Sequence, residues 1–151
     1  MTKPTRSITI EFERMPGIIE TPAAFRFEKY ECVSPMDELT TAVICTCFIP
    51  YSGKRRIAGL GMTIRNPEDD DNWDVAMRVS ARRACSLHQS TRSLYRAFRR
   101  WMWLAKAAHE CHHNDSCRLC PAGHAPILLC RPKQMNDIIA AEFGRVKVRA
   151  E

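Results

Sequence analysis

The sequence predicts an α+β fold: an N-terminal antiparallel sheet of about four strands, two central helices, and a C-terminal zinc-held knuckle with a short helix. Three observations predict it. Apolar residues alternate with period two in the first half, recur with period 3.6 between Arg92 and His112, and give way to clustered cysteine and histidine between Cys111 and Cys130. Residues 1–110 are expected to form the α+β core, and 111–151 the zinc-binding knuckle and terminal helix, packed on the same core.

The first strand is expected over Ser7 to Glu13, where Ile8, Ile10 and Phe12 face one way and Thr9, Glu11 and Glu13 the other. Pro16, Gly17 and Pro22 break the chain before a second alternating run, Phe25 to Glu31. Thr40 to Ile49 is rich in β-branched residues, and Ser52-Gly53 turns it into a fourth run, Arg56 to Arg65. Gly59 and Gly61 fall inside that run, where they are expected to ease a bend or bulge rather than hold a phosphate.

Asn66-Pro67 ends the sheet, and Asp69, Asp70 and Asp71 precede a helix from Trp73 to about Leu87. Carboxylates there complement free N–H groups and the helix dipole, a simpler reading than a divalent-cation site. Ser90 or Thr91 is expected to cap the second helix, Arg92 to His112. Its inner face carries Leu94, Phe98, Trp101, Ala105, Ala108 and His112, one stripe of a 3.6-residue repeat. Its outer face carries Arg92, Arg96, Arg99, Trp103 and Lys106, with Arg100 at the edge. A third helix, Lys133 to Phe143, is expected to stop at Gly144, and Arg145 to Arg149 to form an edge strand or a tail.

Cys117-x2-Cys120 is the strongest chemical signal, because one tight turn aims two thiolates at a single tetrahedral ion. Cys111 and Cys130 complete a four-cysteine set for one structural zinc ion, with His112, His113 and His124 as alternates. Cys32, Cys45, Cys47 and Cys85 read as ordinary buried thiols. His109-Glu110-Cys111-His112-His113 also matches H-E-x-x-H, the metal and base motif of zinc hydrolases. The competing C-x2-C so close by argues against that reading, and an enzyme is the less expected outcome.

The net charge of +6 is unevenly spread. Residues 1–74 hold 9 Lys and Arg against 12 Asp and Glu, whereas 75–151 hold 14 against 5. A basic half calls for an anionic partner, nucleic acid or an acidic protein surface. The contact residues expected are Arg92, Arg96, Arg99, Arg100, Trp103 and Lys106, with Arg78, Arg82 and Arg83 nearby and Trp103 or Tyr95 able to stack on a base. The expected function is therefore a zinc-stabilised module contacting nucleic acid through a basic helix. The alternative is a protein-binding adaptor or inhibitor, of the kind small accessory proteins of mobile elements provide. No apolar run is long enough to span a bilayer and no signal-peptide core follows Met1, so a cytoplasmic site with no membrane partner is expected. No motif points to a small-molecule substrate.

Overall fold

The computed structural model describes residues 3–16, 21–113 and 132–150. Four strands, β1 (Arg6–Met15), β2 (Thr21–Val33), β3 (Leu39–Tyr51) and β4 (Lys54–Ile64), form an antiparallel meander. Two helices follow, α1 (Trp73–Ala84) and α2 (Gln89–His113), then α3 (Pro132–Phe143) and β5 (Val146–Ala150). The sheet has five strands rather than four, in the order β4-β3-β2-β1-β5. The fifth strand arises because β1 leaves an edge open. Val146 pairs with Phe12 and Val148 with Ile10, so the alternation of β5 matches that of its neighbour. Gly144, at φ +67°, donates to the Ala140 carbonyl and turns the chain from α3 into β5, the helix stop expected of it.

Period-two burial holds in β1, where Ile10 and Phe12 are enclosed and Ile8 packs beside them. The β3–β4 hairpin turns through Ser52 and Gly53, both at positive φ (50° and 76°), which matches the twist of the flanking strands. Phe25, Phe27, Phe98 and Phe143 are fully buried, and the Phe25 and Phe98 rings stack at 4.6 Å between centroids. That cluster locks α2 onto β1 and β2.

Gly59 and Gly61 do more than ease a bend. A bulge does fall there, with Gly59 opposite Cys47 and Ile57 opposite Phe48. The larger reason is contact: a Cβ on either glycine would strike the backbone of α1 at Ala84, and at Gly61 also that of Ser80. The helix therefore lies directly on the β4 backbone. Cys45, Cys47 and Cys85 fill the same layer, each at most 1% exposed. Burial pushes the Cys45 thiol up, and a hydrogen bond with Cys85 together with burial does the same for Cys47, so both stay neutral small apolar groups.

The helix ends differ from expectation by a few residues. Asn72, rather than the acidic run, caps α1 by accepting from the Val75 N–H at 3.1 Å, and Asp71 instead pairs with Lys29. The helix stops at Ala84, before Leu87. α2 starts at Gln89, so Thr91 is inside the first turn. Its buried hydroxyl donates to the Cys85 and His88 carbonyls, joining the end of α1 to the start of α2. Among the described residues no helix is long and apolar enough to cross a membrane.

Candidate nucleic-acid interface

The outer stripe of α2 follows from its sequence spacing. Arg92, Arg96, Arg99, Arg100, Trp103 and Lys106 are all exposed, while Leu94, Ala97, Phe98, Leu104 and Ala108 are buried. From Arg92 to Lys106 the stripe runs about 21 Å at 1.5 Å per residue. Ala105 is only partly buried, because α3 packs along the other flank and draws Leu104 and Ala107 inward instead.

The cations of the stripe are not equivalent. The Arg100 guanidinium makes a two-pronged bond to the Glu142 carboxylate of α3, at 2.6 and 2.7 Å, which raises its pKa further and leaves it little to offer a partner. Arg92 donates to the Ser86 carbonyl at 3.2 Å. Arg83 reaches across to the Met62 carbonyl of β4 at 2.8 Å. Among the described residues, Arg78, Arg82, Arg96, Arg99 and Lys106 pair with no carboxylate.

Helix α1 rests on β3 and β4; α2 packs chiefly on α3, sets Phe98 and Trp101 against Phe12 of β1, and meets α1 at few positions. A groove of about 570 Å³ lies between α1 and α2, lined by the first half of α1 and the middle of α2. Its floor is apolar, with Ile8 and Ile10 of β1 and Val148 of β5. One wall carries Arg78 and Asp74 of α1; the other carries Arg99, Trp103 and Lys106 of α2. Trp103 is 39% exposed at the lip, so part of its ring is open to a stacking partner. The other aromatic candidates are occupied. Trp73 already holds Arg6 over its ring at 4.6 Å, and Tyr95 packs against the core. The α1 wall was not legible in sequence. Arg78 was visible only as a nearby charge, and no local pattern reports the angle between two helices.

The expected zinc ligands are placed only in part. Cys111, His112 and His113 fall in the last turn of α2, while Cys117, Cys120, His124 and Cys130 lie outside the described residues, as do the side chains of the H-E-x-x-H motif. Among the described residues no group of three His, Cys, Asp or Glu is placed to hold a metal, the run Asp69 to Asp71 included. No protein-family model matches the chain, and no curated protein or solved structure is detectably similar to it.

Proposed function

We propose that the protein is a small binding module that contacts nucleic acid through the basic side formed by α1 and α2, with one structural zinc ion held by the segment beyond α2. The observation that carries the reading is a set of cations around a half-exposed tryptophan that form no ion pair among the described residues. Arginine and lysine on a solvated helix normally find carboxylates at neighbouring turns. Here Arg78, Arg96, Arg99 and Lys106 form no ion pair among the described residues, although Asp74 lies one turn before Arg78, which leaves them available to phosphates. For the metal, the support is sequence spacing together with placement. Cys117 and Cys120 form the C-x2-C unit, and the segment holding them joins α2 to α3, which pack on each other. A four-cysteine site of Cys111, Cys117, Cys120 and Cys130, with His112, His113 or His124 as substitutes, would contribute about 10–16 kcal/mol to ordering that segment.

Binding of a labelled oligonucleotide at low salt tests the reading. The double variant Arg99→Ala/Lys106→Ala should weaken it, whereas Arg26→Ala on the opposite face of the sheet should not. A wild-type protein that retains no nucleic acid refutes it. One observation favours a second reading, a protein-binding adaptor or inhibitor: Ile57, Leu60, Met62 and Ile64 are between 45% and 62% exposed on the sheet face that no helix covers among the described residues. In that case Leu60→Lys, not the α2 variants, would abolish partner capture.

A further inference from the structure

We infer that the groove between α1 and α2 takes an unpaired nucleic-acid strand, with a base stacked on Trp103 and flanking phosphates held by Arg78, Arg99 and Lys106. The inference rests on the nucleic-acid reading above and narrows it from nucleic acid in general to single strands.

Two modes of contact are open to this surface, and they use different residues. A duplex would meet α2 from outside, along the stripe that includes Arg92 and Arg96, as a helix enters a major groove. A single strand would instead enter the groove, where Arg78 of α1 faces the α2 residues and Arg96 does not reach. Three observations favour the second mode. Trp103 stands between Arg99 and Lys106 on the groove wall, and tryptophan has one N–H donor and no acceptor, so it reads base edges poorly; its strength is its ring face, which a paired base inside a stack cannot meet. The floor beneath it, Ile8, Ile10 and Val148, is apolar and suits the flat face of an unstacked base rather than a hydrated backbone. At about 570 Å³ the groove lies within the size range of pockets that enclose small flat ligands, and a duplex is too broad to enter it.

The charges are arranged to match. Arg99, Trp103 and Lys106 stand at i, i+4 and i+7 on α2, which spaces the two cations about 10 Å apart along the axis with the ring between them. Arg78 faces them from the other wall, and among the described residues of the lining Asp74 is the one carboxylate against three cations. A strand laid along the groove therefore finds phosphate partners on both sides of the stacked base. Stacking and backbone contacts of this kind are tolerant of sequence.

The test compares a short oligothymidylate, an oligouridylate of the same length and a duplex of that length, by anisotropy at fixed salt. Either single strand should bind at least about tenfold more tightly than the duplex. Trp103→Ala should weaken single-strand binding about 5- to 160-fold, the range that base–aromatic stacking covers, and Trp103→Phe should restore most of it. Arg78→Ala should cost more than Arg96→Ala, although each removes one exposed guanidinium. Equal or tighter duplex binding, with Arg96→Ala the more damaging variant and Trp103→Ala silent, would overturn the inference and leave the broader nucleic-acid reading standing. Binding to none of the three probes would overturn both. A thermal melt of each variant excludes unfolding as the cause of any loss.

Discussion

Replacing Gly61 with alanine tests how α1 is seated. A Cβ at this position would lie 2.8 Å from the carbonyl carbon of Arg83, and closer still to Ala84 N and Ser80 O. Ordinary contact begins near 3.4 Å, so the helix must lift by more than the 0.6 Å (3.4 less 2.8) that Arg83 alone demands, because Ala84 N and Ser80 O stand closer, and every atom in the way is backbone that no rotamer change can move. Forcing extra methylenes into packed cores costs about 1–3 kcal/mol. A gap of this size under α1 also forfeits roughly a quarter of the dispersion energy of its lining. Against this, alanine restricts the unfolded chain and returns about 0.4–1 kcal/mol. The net expectation is destabilisation by about 1–3 kcal/mol, a fall in Tm of roughly 2–12 °C for a chain of this size. Urea unfolding of Gly61→Ala beside Leu60→Ala measures it. Leu60 is 62% exposed on the opposite face and its truncation should cost far less. Wild-type stability in Gly61→Ala, or a greater loss in Leu60→Ala, would show that α1 does not rest on the β4 backbone.

Arg100→Ala should lower stability by no more than about 1 kcal/mol, since the bond to Glu142 is half-exposed, and should leave oligonucleotide affinity nearly unchanged; Arg99→Ala should do the reverse. Glu11 is held below its usual value of 4.5 by the hydrogen bond from Arg55, which outweighs the opposing cost of burial, and the charges of Arg55, Arg149 and Lys147 lower it further. A lowered carboxylate contributes stability that is complete above the unfolded pKa and lost as pH falls through the folded one. Stability should therefore decline below about pH 5, and Glu11→Gln should flatten part of that decline in acid titrations followed by circular dichroism. Elemental analysis should find one zinc per chain, and chelation should free about four thiols while Cys45, Cys47 and Cys85 stay unreactive until the protein unfolds. Four freely reacting thiols in protein that was never chelated would remove the zinc site.

Local pattern carried much of this fold. Ile8, Ile10 and Phe12 alternate because one face of β1 is buried, and the two faces of α2 separate because Leu94 and Phe98 pack on the sheet while Arg96 and Arg99 meet water. What stayed hidden depends on contacts between distant segments. Arg145 to Arg149 fits a strand or a tail equally well, and only the free edge of β1, more than 130 residues away, decides between them. Arg100 looks like its neighbours on the helix until Glu142, 42 residues on, arrives beside it. The start of α2 was misplaced because a threonine before a helical run resembles a cap, whereas Thr91 uses its hydroxyl as a donor inside the first turn. The groove is hidden in the same way. Its far wall carries Arg78, which has no periodic relation to α2.

The salt dependence of oligothymidylate binding, measured for the wild type and for Arg99→Ala, bears most directly on the central claim that the unpaired cations of α1 and α2 hold phosphates. Each contact to a single strand contributes about −0.7 to the slope of log K against log salt, so three contacts predict a slope near −2 and the variant a slope about 0.7 shallower. A wild-type slope near zero, or one that Arg99→Ala leaves unchanged, would contradict it.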